Sequence, residues 1–187
     1  MPLDTSAYTL ALLRVDGRRW NDLRRLHARL RTQDAADGSA YLEMGHTKVM
    51  CAVSGPAEQV RRGRNDRRIQ EMEITVARTL SAAIHTHLFP HSTISLSLHV
   101  LSTDGSLLAA LINASTLALI DAGVPMTDYV VACTSGTTSS SSFTTDTDPL
   151  LDLNAQEEME LPFVTVASVG EGDGVAALVS ESRLQAG

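Results

Sequence analysis

Aromatic residues make up only 4% of this 187-residue chain, so its interior has to be built from leucine, valine, isoleucine and alanine. Such residues suit helices buried against sheet faces. Cysteine is scarcer still: Cys51 and Cys133 each fall in an apolar, strand-like run, and neither belongs to a C-x-x-C pair. That excludes the common zinc and dithiol motifs and fits a reduced, intracellular protein. Met1 to Leu13 lacks the basic start and long apolar stretch of a secretory signal. The longest apolar run, Leu107 to Ala122, is interrupted by Asn113, Ser115, Thr116 and Asp121, which favours a buried helix over a membrane span. A P-loop, a dinucleotide fingerprint and a nucleophilic triad are all missing.

What is present amounts to one domain. At 43% hydrophobic, the chain can fill one core and not two, and the expected class is α/β or α+β, with an N-terminal extension over 1–13 and a single domain over 14–187. A net charge of −7 argues against a general nucleic-acid binder. The distribution argues differently: residues 1–68 hold thirteen basic and eight acidic side chains, whereas residues 69–187 hold two and fourteen. A surface divided in this way can steer an anionic polymer to one face and leave the acidic face for other partners or for solubility.

A turn-rich, basic lead-in runs from Arg14 to Arg25. Strands are expected at 27–32, 39–44 and 48–53, separated by the turn formers Asp37-Gly38 and Gly45-His46, which gives an antiparallel meander. An arginine run at 61, 62, 64, 67 and 68 leads into a helix whose apolar face is Ile69, Met72, Val76, Leu80, Ala83 and Leu88. Asn65 or Asp66 can cap it, and Phe89-Pro90 should end it. Strict alternation over Thr93 to Leu101 marks the clearest strand. Asp104-Gly105-Ser106 then opens the apolar helix, which Gly123 and Pro125 close. Further strands are expected at 129–134, 163–169 and 175–180. The serine-rich stretch 135–147 reads as a mobile loop.

Three clusters could carry chemistry. Arg67 and Arg68 stand at a helix N-terminus, where the helix dipole disfavours cations, so an anion is wanted there, and Arg suits bidentate phosphate contact. A solvated basic loop paired with acidic groups is the bland alternative. Gly105-Ser106 could hold an anion against the first amides of a helix, or Ser106 could simply be its cap. Asp152, Glu157, Glu158 and Glu160 could protonate a leaving group or hold a metal, although solvation is the ordinary fate of such acids. His85 and His87 would diverge on a helix, and neither they nor His91 and His99 receive a ligand role.

Several stretches, in order along the chain, resemble the ribonuclease PH family, specifically the exosome ring subunits that correspond to the active-site-bearing member of archaeal rings. They are Asp16-Gly-Arg-Arg-Trp-Asn-Asp-Leu-Arg-Arg25, Ala36-Asp-Gly-Ser-Ala-Tyr-Leu-Glu-Met-Gly45 with Thr47-Lys48, Gly55-Pro56, Leu88-Phe-Pro90 and Asn113 to Asp128. The resemblance implies a ribonuclease PH-like fold with mixed sheets packed with helices. It implies a six-membered ring of like-folded subunits with S1/KH cap subunits and associated exosome nucleases as partners, and single-stranded RNA in a central channel. No cofactor and no membrane are implied, and the expected location is the nucleus, the nucleolus and the cytoplasm.

Carried onto this chain, the resemblance assigns RNA-phosphate contact to Arg64, Arg67 and Arg68. Gly105 and Ser106 match the first two positions of a Gly-Ser/Thr-Arg phosphate turn. The third position is Leu107, so the arginine that pairs with the phosphate nucleophile is missing. The catalytic aspartate expected after Leu151 to Asn154 is not evident, and Glu160 is the nearest acid. The segment between Gly55-Pro56 and the arginine run is short, and the C-terminal helices of the family are missing from the sequence. The resulting expectation is a non-catalytic, RNA-binding ring subunit that supports rRNA maturation and mRNA turnover. The alternatives are an active 3′→5′ exoribonuclease that uses inorganic phosphate with Arg67, Arg68, Ser106 and Glu160, and an assembly protein whose arginines meet an acidic neighbour.

Overall fold

The computed structural model describes Arg14 and residues 16–57, 67–90, 92–137, 149–171 and 174–181. The expected extension over 1–13, Arg64 and the rest of the arginine run before Arg67, the candidate caps Asn65 and Asp66, His91 and residues 138–147 of the expected loop lie outside the described residues.

Alternating sequence becomes two four-stranded antiparallel sheets. The first contains β1 (Leu26–Leu30), β2 (Gly38–Met44), β3 (Thr47–Ala57) and β4 (Thr93–Ser102), in that spatial order. The second contains β5 (Val130–Thr137), β6 (Pro149–Leu151), β7 (Phe163–Val169) and β8 (Val175–Glu181), in the order β6-β5-β7-β8. In the first sheet the register sets Cys51 against Leu98 and Val53 against Leu96, so Ile94, Leu96 and Leu98 of β4 pack against the core while Val100, opposite Val49, is exposed. Val49, Cys51 and Val53 are wholly buried.

Helix α2 (Leu107–Asp121) lies between the sheets and packs on β2, β3 and β5. It is apolar nearly all round, as a helix covered on two sides must be. The polar residues that interrupt its sequence are satisfied inside the core. Asn113 donates through Nδ2 to the Ala132 carbonyl at 2.9 Å and accepts the Ala132 N–H at 2.8 Å, while the Thr116 hydroxyl lies 2.9 Å from the Val130 carbonyl oxygen. Asp121 accepts the Ser39 N–H at 3.0 Å. Gly38 sits directly against Ala118 and Ala122, where a side chain would meet the backbone of the helix. Small residues on both sides therefore let the first sheet approach closely.

Helix α1 (Arg67–Ala83) buries Val76, Thr79, Leu80 and Ala83. It stops well before Phe89-Pro90, because Ile84 leaves the helix to bridge Met126, the Thr127 N–H donates to the Ala83 carbonyl, and the His85 N–H donates to the Pro125 carbonyl. The segment that follows α2 thus ends α1 by offering it a backbone partner, and Leu88 falls in a short 3₁₀ turn over Thr86–Leu88, exposed. The serine-rich stretch begins later than expected, since β5 continues through Thr137. Two elements were not foreseen: β6, and the six-residue helix α3 (Ala155–Glu160), which opens with a capping box between Asn154 and Glu157.

Candidate functional site

The basic lead-in folds inward rather than standing in solvent. Arg14 is buried and forms a bidentate ion pair with Glu157, with further donation to the carbonyls of Leu151 and Asp152. Arg24 pairs with Asp152, donating from its backbone N–H at 2.9 Å and from Nη2 at 2.7 Å. The same guanidinium donates to the carbonyls of Asp104 and Gly105. Thr47, at the start of β3, donates its hydroxyl to the Gly105 carbonyl at 2.8 Å and accepts the Asp104 N–H at 2.9 Å. The lead-in, the first residue of β3, the turn before α2 and the approach to α3 therefore meet in one polar knot.

The side chains of Asp152 and Glu157 are 1% and 2% exposed, which corrects the expectation of solvation for these two acids of the cluster, whereas Glu158 is half-buried and Glu160 is exposed. Each carboxylate is tolerated because an arginine more than 120 residues earlier engages both of its oxygens, Arg14 through two guanidinium nitrogens on Glu157 and Arg24 through Nη2 and its backbone N–H on Asp152. Burial by itself would raise the Asp152 pKa, but the hydrogen bonds and charge of Arg24 hold the carboxyl below the usual carboxylate range. Arg14, Arg24, Asp152 and Glu157 were not grouped by sequence reasoning. The only local signal was the Asn154-x-x-Glu157 spacing of a capping box.

Gly105 has φ +75°, and a Cβ there would come within 2.5 Å of the Leu153 carbonyl oxygen. Ser106 follows in the left-handed conformation with φ 52° and makes no side-chain cap for α2. Its hydroxyl donates to the Leu153 carbonyl at 3.0 Å, and its N–H donates to Glu158 Oε1 at 2.5 Å. Ser106 is thus neither a conventional cap nor an open anion cradle. Burial pushes the Glu158 carboxyl above its ordinary range, opposed by the Ser106 amide and the charge of Arg24, with Glu181 adding to the rise and Arg68 opposing it.

Beside this turn opens a cleft of about 710 Å³, lined by Arg68, Gly105, Leu107, Glu158, Phe163 and Glu181 among others. A smaller lobe of about 140 Å³ continues between α1 and α2 and adds Glu71. The structure therefore brings Arg68 and Gly105 to one cleft. Arg67 does not line the cleft: its side chain is 93% exposed and lies 3.4 Å from Glu71, one helical turn on. Ser106 is buried behind the turn, and Glu160 is exposed at the end of α3 without lining the cleft. Among the described residues, no group of three or more His, Cys, Asp or Glu side chains is placed to hold a metal ion. No described helix is long and apolar enough to cross a membrane.

Two antiparallel sheets closed on one buried helix, with a glycine-serine turn at the mouth of that helix, define a ribonuclease PH-like α/β domain. A family model described as "3' exoribonuclease family, domain 1" matches residues 22–62 and 57–125. The exosome complex component ski6 of Schizosaccharomyces pombe is 40% identical over 92% of this chain and 79% of its own length. The exosome complex component RRP41 of Homo sapiens is 36% identical over 91% and 79%. The crystal structure of rice (Oryza sativa) Rrp46 superimposes with a TM-score of 0.81 at 29% identity, covering 92% of this chain and 87% of that one. This chain belongs to the ribonuclease PH family of 3′ exoribonuclease domains.

Proposed function

We propose that this chain is a non-catalytic, RNA-binding ring subunit of an exosome core, and that it supports 3′→5′ RNA processing and decay carried out by associated nucleases. Its relatives are named as exosome complex components, and rice Rrp46 shares its fold. The observation that carries the non-catalytic reading is the charge of the cleft. Leu107 stands at the third position of the turn, and among the described lining residues Arg68 is the one cation against Glu158 and Glu181. A site that must hold orthophosphate in line for attack on a phosphodiester needs positive charge there. The partners under this reading are other ribonuclease PH-like ring subunits, S1/KH cap subunits and single-stranded RNA, in the nucleus, nucleolus and cytoplasm, with no cofactor.

Arg67 and Arg68, with Arg64 before them, supply the RNA contact. Arg67 projects from the first turn of α1 with an almost wholly exposed side chain, which suits a phosphate tracked without sequence readout. The test has two parts. Purified chain, alone and with its ring neighbours, is incubated with single-stranded RNA and inorganic phosphate, and no nucleoside diphosphate is expected. Its phosphate-dependent release would establish the active alternative. In the assembled ring, Arg67→Glu with Arg68→Glu should shorten the RNA protected from nuclease and leave assembly unchanged, whereas full protection would refute the assignment of these arginines.

A further inference from the structure

Glu158 accepts the Ser106 N–H, the amide at the mouth of α2 that an incoming anion would need. Backbone N–H groups at the start of a helix favour a negative partner, and the Ser106 N–H already has one, the Glu158 carboxylate at 2.5 Å. We propose that Glu158 is a resident anion, an autoinhibitory contact that keeps inorganic phosphate out of the turn at the mouth of α2.

The carboxylate does not arrive there by chance rotation of a surface side chain. Helix α3 is pinned at its start by the Asn154–Glu157 capping box, in which Asn154 Oδ1 accepts the Glu157 N–H at 2.9 Å and Glu157 accepts the Asn154 N–H at 3.0 Å. The Ala155 N–H lies 3.3 Å from Asp104 Oδ1, which ties the helix to the turn itself, and the Arg14–Glu157 ion pair holds the residue just before Glu158 in the knot. An acceptor fixed this way competes as an intramolecular ligand, at an effective concentration in the millimolar range or above. Phosphate would have to displace it and approach past Glu181, while the Ser106 hydroxyl is already directed at the Leu153 carbonyl. Loss of an arginine at position 107 and occupation of the amide by Glu158 are separate barriers, and only the second is removed by changing Glu158.

The inference rests on the proposed function only in taking this turn as the counterpart of the phosphate turn of the family. The test uses the full chain labelled with ¹⁵N, following the Ser106 amide resonance as inorganic phosphate is added. Wild-type protein should give no saturable shift at Ser106. Glu158→Ala should give one, with apparent affinity higher by about one to two orders of magnitude, the range set by losing a competing charge-assisted hydrogen bond. Glu158→Gln keeps an acceptor for the amide and should bind more weakly than Glu158→Ala; it also supplies the comparison with wild type should the alanine variant not fold. A saturable wild-type shift equal to that of the variant would overturn the inference, as would a folded Glu158→Ala that shows none. The second result leaves the ring-subunit reading standing, whereas release of nucleoside diphosphate by wild-type protein overturns that reading whatever Ser106 does.

Discussion

Replacing Asp152 by asparagine changes one atom of the polar knot and should cost this chain about 3 kcal/mol of stability. Both carboxylate oxygens are engaged by Arg24, Oδ2 by its backbone N–H and Oδ1 by Nη2. Asparagine has one oxygen and one NH₂ group, so in either orientation a donor of Arg24 faces a donor. The guanidinium has no slack to absorb this, since its Nε finds no acceptor among the described residues. Removing one partner of a buried pair costs about 3–5 kcal/mol, and the remaining hydrogen bond places this case at the lower end. The backbone is not the cause, because Asp152 has φ 53° and asparagine accepts that conformation readily. For a chain of this length the loss corresponds to a melting midpoint lower by about 6–12 °C. Thermal unfolding of wild type, D152N, R24M and the double variant should also show a coupling of about 1–3 kcal/mol between the two sites. A D152N midpoint within about 2 °C of wild type, or strictly additive losses, would refute the account of the knot.

Acid should erase that difference. Asp152 has a folded pKa below its unfolded value, so its contribution is complete above about pH 4 and disappears as pH falls through the folded value. The D152N and wild-type urea midpoints should accordingly converge below pH 4, and a gap that persists there would count against the ion pair. Gly105→Ala forces a Cβ against the backbone of Leu153 and Asn154 at positive φ, and should lower stability by about 2 kcal/mol or more, read from the urea midpoint; a neutral result would mean the turn can open. Burial pushes the Cys51 thiol up to about 11, which leaves roughly one thiolate in a thousand at pH 8. Iodoacetamide should modify half-buried Cys133 before Cys51 in native protein and both in urea, and peptide mass spectrometry showing early Cys51 alkylation would contradict the packing of β3.

Elements with a long alternation or a long apolar run were legible in the sequence. The alternation at Thr93 to Leu101 and the apolar run at Leu107 to Ala122 became β4 and α2, because a strand with one face on the core alternates and a helix covered on two sides is apolar nearly all round. The end of α1 was not, since it depends on Met126 and Thr127, more than forty residues on, and not on the nearby proline. Helix α3 is too short to show a period. The candidate turn was visible as Gly105-Ser106, and its neighbour Leu107 as a departure. What fills the turn was not, because the partner is Glu158, some fifty residues away, among acids that composition alone assigns to solvent. Buried charge is the hardest thing to read from one sequence, as Arg14 and Arg24 look identical to Arg67 until the acids that meet them are located in space.

Arg14 and Arg24 leave the ribosome before the carboxylates that neutralise them, which are encoded more than 120 codons later. Until Asp152 and Glu157 emerge, those two guanidinium groups lack the carboxylates that meet them in the folded chain. The segment that carries Asp152 and Glu157 therefore acts as a clasp on the one that carries Arg14 and Arg24.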